Sequence, residues 1–380
     1  MWVHPKHIHY IFTVKGFTMP IAAFAIFGWC MANGGGLAAM DMASKVGETT
    51  AASTPLGWSI MSGINVIMGG LSPMLVNQPD LARYCEKSRD AGALQGVSAF
   101  VTSIIVFFLG LASTTSMQGV WGEAYWNIWD LLDSILDHYW NPGARAGLFF
   151  VALAFLLGVF ATNFGTNSTP FGADMTGLFP RWMTIRRGQI LCAILGVVVV
   201  PWKLIANASS FLSFLGSYNI FMAPLCAVII VDYAFVRRGN IHVPSCYDGS
   251  KHGLYHFWSG VNWVGALAWL AGTSMGIPGL VGQYQPDIVS DAAKYMYMMG
   301  WVITFVTAAV VYLVASLAIN YTVFPAGRES APKKWEWLAN EGREGFFEGE
   351  NEGHGTIYAT STPPATDNGE VQLGEKKDSV

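Results

Sequence analysis

Charge is scarce in this sequence. Only 12% of its 380 residues are Asp, Glu, Lys or Arg, about half the share found in soluble domains. That excludes an ordinary water-solvated domain. Paired cysteines are absent too. Cys30, Cys85, Cys192, Cys226 and Cys246 are scattered, and none forms a CxxC pair, so neither a disulfide framework nor a zinc site is indicated. They read as small apolar packing residues. No basic patch is present, which excludes nucleic acid as a partner. The net charge of -4 says little, because the charged residues sit between the apolar runs and in the tail. G-x-S-x-G, H-E-x-x-H and Walker motifs are missing, and ionisable residues do not converge within the apolar runs. The chain therefore reads as a protein without a catalytic centre or bound cofactor. The N-terminus, MWVHPKHIHYIFTVKGF, lacks the basic n-region, apolar h-region and small-residue cleavage site of a signal peptide. It reads as a loop running into an apolar span. His4, His7 and His9 lie close together, but no carboxylate or cysteine joins them, so an interfacial segment describes them better than a metal site.

What the sequence has is hydrophobicity, at 52% of residues, in separate blocks of near-membrane length. Eight spans are predicted, at 17–37, 57–81, 94–116, 146–167, 188–204, 208–235, 258–279 and 296–320. The fold class is all-α and polytopic, with the lipid bilayer as its surroundings. The fifth span is short and ends at Pro201-Trp202-Lys203, which predicts a tight hairpin with the sixth. Lys and Arg set the orientation. One set of loops carries Arg83, Lys87, Arg89, Arg181, Arg186, Arg187, Arg237, Arg238 and Lys251; the alternating set carries Lys45, Arg145, Lys203 and Lys294. The first set is expected in the cytoplasm, with both termini. Loop 118–145 holds Trp121, Trp126, Trp129, Leu131, Leu132, Ile135, Leu136 and Trp140, the pattern of an amphipathic helix at the outer interface. A membrane domain over 1–324 is expected, then a disordered cytoplasmic tail over 325–380, rich in Gly, Glu, Thr and Pro. Within the tail, the WEW element at 335–337 is expected against the membrane surface or the core.

Three stretches stand out. Leu56 to Arg89 is long and apolar but carries Gly69-Gly70, Pro73, Asn77 and Pro79. Proline removes a backbone donor, and interrupted spans are tolerated where backbone is buried in protein or lines a cavity. The stretch reads either as a broken helix at a transport site or as a kinked packing helix. In 160–188, Thr162, Asn163, Thr166, Asn167 and Ser168 end a strongly apolar run. Asn offers donors and an acceptor to a ligand with amide N–H and C=O groups, or to a neighbouring helix. Pro170, Phe171 and Gly172 are expected to break that helix, with a reentrant or interfacial piece running from Asp174 to Arg186-Arg187. In 209–241, Phe211, Phe214 and Tyr218 suit a gate or ordinary packing, and Asp232 suits a salt bridge with Arg237 or Arg238.

The stretches FTVKGFTMP (12–20), ANGGG (32–36), SPMLVNQPDLARYC (72–85), NSTPFGADMTGLFPRWMTIRRGQ (167–189), VDYAFVRRG (231–239) and LYHFWSGVNWVGALAWLAG (254–272) carry a resemblance. By them the chain resembles the nucleobase–cation symporter-1 family, and within it the fungal uracil, allantoin and uridine permeases, over about residues 10–325. The resemblance implies a leucine-transporter-type fold of twelve helices, two inverted five-helix repeats followed by two more. The eight spans correspond to family helices five to twelve, so the chain looks truncated at its N-terminus. The stretch from Leu56 becomes the broken sixth helix.

The resemblance also implies site residues. Ligand binding falls at Gly70, Leu71 and Asn167, with Leu71 where a bacterial member has a stacking aromatic. The sodium-site hydroxyl pair falls at Ala161 and Thr162, so one hydroxyl is missing and Thr162 is the remnant of a cation site. A gate falls at Phe211 and Leu215. The expected function is secondary transport of a nucleobase or ureide such as uracil, allantoin or uridine across the plasma membrane, coupled to H+ rather than Na+. The alternative is a non-transporting remnant or incomplete gene model, and a sensor-like receptor is a third. Residues 1–380 alone are not expected to catalyse concentrative uptake, because one repeat keeps only its final helix.

Overall fold

The computed structural model describes residues 8–34, 36, 55–82, 91–205, 208–241, 246, 251, 255–319 and 335. The tail beyond 319, apart from Trp335, lies outside the described residues. So do His4, His7, the loop with Arg83, Lys87 and Arg89, and Lys45.

The described chain is nearly all helix. In order come α1 (Ile8–Asn33), α2 (Leu56–Ala82), α3 (Ala93–Trp121), α4 (Ile128–His138), α5 (Pro142–Asn163), a π turn (Phe164–Ser168), α6 (Thr169–Leu178), α7 (Ile185–Val198), α8 (Pro201–Ile205), α9 (Ala208–Val231), a second π turn (Asp232–Val236), α10 (Trp263–Tyr284), α11 (Asp291–Met298) and α12 (Gly300–Ile319). Among the described residues, seven helices are long and apolar enough to cross a membrane. They coincide with seven of the eight predicted spans. The exception is 188–204. There α7 has 14 residues, about 21 Å at 1.5 Å per residue, against about 30 Å of hydrocarbon. Proline disfavours helical backbone in the residue before it. Ahead of Pro201, Val200 lies past the helix end at φ 54°.

The described residues fall into two compact units, one within Met1–Ile229 and Leu267–Val311, the other within Ile230–Ala266 and Tyr312–Val380. In the first, α1 packs against α3 and α5, and α4 lies on α5. The helix α4 has the amphipathic face its sequence announces. Leu131 and Ile135, one turn apart, are buried against Ile26, Cys30 and Met117. Asp130, Asp133 and Asp137 stay exposed. Trp121 stacks on His138 with centroids 4.5 Å apart, which fastens the end of α3 to the end of α4.

Two predicted interruptions are absent. The helix α2 runs unbroken through Pro73 and Pro79. Each proline forfeits one bond of the ladder. Near Pro73, the Ser72 hydroxyl gives the backbone an additional bond, 2.6 Å to the Met68 carbonyl. Close helix neighbours and such side-chain bonds let membrane helices keep prolines. The fourth span likewise continues past Asn167. The π turn inserts a wider loop of backbone, with the Thr169 N–H bonding the Phe164 carbonyl, and its hydroxyl bonding the same oxygen at 2.9 Å. That extra residue accommodates Pro170, whose missing N–H would otherwise leave an α-ladder gap. Consequently Asp174 belongs to α6 and does not open a reentrant piece. The chain reverses at 179–184, and Thr184 caps α7 by accepting from the Arg187 N–H. The α6–α7 contact needs glycine on both sides: a Cβ on Gly188 would stand 2.7 Å from the Gly172 Cα.

The second unit is centred on Asp232. Its carboxylate accepts from Arg237 Nε at 2.7 Å and from the Tyr312 hydroxyl at 2.8 Å. The Arg237 guanidinium also lies over the Tyr255 ring, 4.8 Å from its centroid. The salt bridge expected of Asp232 is therefore present, with Arg237 as its partner. Trp335, from the WEW element, packs edge-on against Tyr233 at 5.7 Å.

Candidate functional site

The first unit holds all the residues singled out for binding and gating. On α2 two adjacent glycines have different surroundings. Gly69 is buried, and a Cβ there would lie 2.6 Å from the Leu215 carbonyl oxygen and 3.1 Å from Asn219 Nδ2. Gly70 is exposed, and a Cβ there would meet nothing within 4 Å. Leu71 beside it is 44% exposed. Gly69 thus lets α2 and α9 approach backbone to side, while Gly70 and Leu71 present an open strip. The expectation of unwound backbone at Gly70 is corrected: the backbone is helical, and the steric constraint falls one residue earlier.

The polar end of α5 forms a ladder along one helix. Thr162 donates to the Gly158 carbonyl at 2.8 Å, and Thr166 to the Thr162 carbonyl at 2.8 Å. Asn167 Nδ2 donates to Asn163 Oδ1 at 2.7 Å, and both side chains are exposed. A groove of about 730 Å³ opens between this segment and α7, lined by Asn163, Ser168, Phe171, Gln189 and Cys192 among others. Asn163 lines it; Asn167 does not. The helix α6, which follows Asn167 directly, packs against α2, so the two candidate binding segments belong to neighbouring helices.

Thr162 has a partner that sequence reasoning missed. The Lys15 ammonium of α1 donates to its hydroxyl and sits 5.2 Å from the Phe12 ring centroid. Gly158 and Gly165, one turn either side of Thr162, receive Met19 and Phe12 of α1. Small residues on one face let two membrane helices close up. Here they bring a charged side chain to the Thr162 hydroxyl. The first span is predicted only from residue 17, which puts Lys15 in a loop; the helix begins at Ile8 and the candidate span at Tyr10, so Lys15 is an ionisable residue inside an apolar span, which is costly. What the sequence withheld was its partner, 147 residues away.

The candidate gate residues Phe211 and Leu215 lie one turn apart on α9. Phe211 meets Trp126, just ahead of α4, with centroids 5.9 Å apart. Leu215 is half-buried where its carbonyl faces Gly69. Phe214 stacks with Tyr218 at 6.1 Å.

Comparison with known proteins places this arrangement. Residues 1–304 match the family described as permease for cytosine/purines, uracil, thiamine, allantoin. The allantoin permease of Saccharomyces cerevisiae is 31% identical over 316 residues, covering 82% of this chain and 49% of that protein. The uracil permease of the same yeast is 31% identical over 305 residues, covering 79% and 48%. Its uridine permease is 28% identical over 345 residues, covering 90% and 53%. The chain thus spans about half the length of the curated relatives it matches. Among solved structures, Mhp1, a nucleobase-cation-symport-1 family transporter in a closed conformation with bromovinylhydantoin bound, superposes with a TM-score of 0.57 at 20% identity, over 84% of this chain and 65% of that one. That likeness shows the fold. These relatives are permeases and transporters rather than enzymes. With seven spanning helices and a family match over residues 1–304, the chain is a multi-pass membrane protein that belongs to the cytosine/purine, uracil, thiamine and allantoin permease family.

Proposed function

We propose that the chain forms the ligand-binding part of a proton-coupled plasma-membrane permease for a nucleobase or ureide such as uracil, allantoin or uridine. The family match across residues 1–304 carries this reading. Gly70 and Leu71 supply an open strip on α2 for a flat ligand, with Leu71 giving apolar contact where a ring would stack. Asn167 supplies a paired donor and acceptor for an amide edge, exchanging its bond to Asn163 for bonds to the ligand. Phe211 and Leu215 of α9 close over it.

Coupling is assigned to Lys15 and Thr162. With Ala161 beside it, Thr162 offers one side-chain hydroxyl where a sodium site would want two. A protonated Lys15 brings its own positive charge to that oxygen, and loss of its proton removes the charge from the α1–α5 contact. Proton traffic at one side chain then does the work of an ion entering and leaving.

Asn167→Ala is expected to weaken ligand binding by up to about tenfold, the worth of one net hydrogen bond, and Asn167→Asp to change it strongly. Competition between radiolabelled uracil or allantoin and unlabelled analogues reads this. Unchanged inhibition constants in both variants would return Asn167 to helix packing. The positive-charge asymmetry of the loops further supports a cytoplasmic location for both termini. An impermeant thiol reagent added to intact cells should modify Ser134→Cys and spare Ser88→Cys, measured over the background of the native cysteines; the reverse pattern would invert the orientation.

A further inference from the structure

The last two helices are joined to the gate by hydrogen bonds that binding and coupling leave unused. Between Met298 and Gly300 the helix is interrupted, since α11 ends and α12 begins there. Such ends leave backbone groups without intrahelical partners. Asn65 of α2 bonds the backbone on both sides. Its Oδ1 accepts from the Trp301 N–H at 2.8 Å, and its Nδ2 donates to the Tyr297 carbonyl at 3.4 Å. The Trp301 indole N–H donates to the Ser72 hydroxyl at 2.9 Å. Asn219 of α9 donates to the Asn65 carbonyl. Asn65, Ser72 and Asn219 are all 3% exposed or less.

The break therefore has a fixed orientation, and it aims Tyr297 at α9. The Tyr297 hydroxyl donates to the Ser213 carbonyl at 3.3 Å and lies 3.1 Å from the Ser217 hydroxyl. Between those two, Gly216 leaves room for it: a Cβ there would stand 2.9 Å from the tyrosine oxygen. Ser213 and Ser217 bracket Leu215, so the hydroxyl grips the segment that carries the gate.

We propose that the α11–α12 break is a strut for the gate. Tyr297 is a positioning residue that holds the Phe211–Leu215 half of α9 against Gly69 of α2, and breaking its grip frees that half to swing. The proposal rests on reading α9 as the gate of a ligand site, but its test does not require transport.

The reporter is Leu215→Cys in the membrane-inserted chain, labelled with N-ethylmaleimide. Native Cys192 on α7, also partly buried, serves as the control for general loosening. Tyr297→Phe deletes one oxygen and keeps the ring. It should raise the labelling rate at position 215 by about threefold to tenfold, the shift expected from losing hydrogen bonds of ordinary strength, with the Cys192 rate unchanged. Ser217→Ala removes one partner only and should give a smaller acceleration; it carries the test if Tyr297→Phe fails to insert. An unchanged rate at position 215, or equal acceleration of Cys192, would overturn the proposal. Adding uracil or allantoin separates the two readings. Acceleration by Tyr297→Phe that neither ligand slows would keep the strut while removing the permease reading.

Discussion

Alanine at Gly69 is expected to destabilise the protein by about 1–3 kcal/mol, the usual cost of overpacking, and valine more. Alanine at Gly70 should be neutral, or stabilising by up to about 1 kcal/mol, because glycine inside a helix is the poorer choice. The two residues are neighbours in sequence with the same side chain and both sit inside α2. They differ in what a methyl group would meet. At Gly69 it meets the Leu215 carbonyl at 2.6 Å, a backbone atom that cannot rotate away; at Gly70 it meets open space. Thermal unfolding of the purified protein in detergent measures both. Equal effects at the two positions would mean that α2 and α9 are not in contact at Gly69. A ligand that approaches Gly70 closely adds a second signature, since Gly70→Ala should then weaken binding while leaving the melting temperature intact.

Replacing Lys15 by methionine should do opposite things to stability and to activity. An ionisable side chain inside a membrane span costs about 2.5–3.5 kcal/mol on insertion scales. In Lys15 part of that is offset by the bond to Thr162 and the Phe12 ring. Methionine fills similar space without charge, so the α1–α5 pair should hold as well or better. Accumulation driven by a pH gradient should be lost, because the group that carries the charge to Thr162 is gone. Thr162→Val should lose coupling too, and Thr162→Ser should keep it. Melting temperature and pH-dependent uptake, both measured on the chain co-expressed with the family's first four helices, separate the two effects. Proton-driven accumulation at normal levels by Lys15→Met would remove Lys15 from the coupling mechanism.

Much of the fold is legible because membrane spans announce themselves by length and apolarity. Seven spans stand where the apolar blocks are, and α4 buries Leu131 and Ile135 as its periodicity requires. The failures are of one kind. At Pro73 and Pro170 the sequence shows which backbone donors are lost and not what surrounds the gap. At Pro170 the π turn before Thr169 is the local answer, and it is not visible as a pattern. The candidate site divides similarly. Gly70, Leu71, Asn167, Thr162, Phe211 and Leu215 follow from resemblance to a family with the same motifs. The groups that hold those residues in place come from distant segments: Lys15 from α1, Asn219 from α9 and Tyr297 from α11. The composition of α2 or α5 carries no trace of them.

Uptake of radiolabelled uracil, uridine, allantoin and uric acid decides most directly whether these helices serve a permease. The cells should lack their own permeases for these compounds, and the chain should carry a surface tag and be expressed together with the family's first four helices. Saturable accumulation of at least one compound is expected, abolished by collapsing the proton gradient and indifferent to sodium. A chain delivered to the surface that accumulates none of them, or that does so only with sodium, would contradict a proton-coupled site built on Gly70, Asn167, Thr162 and Lys15.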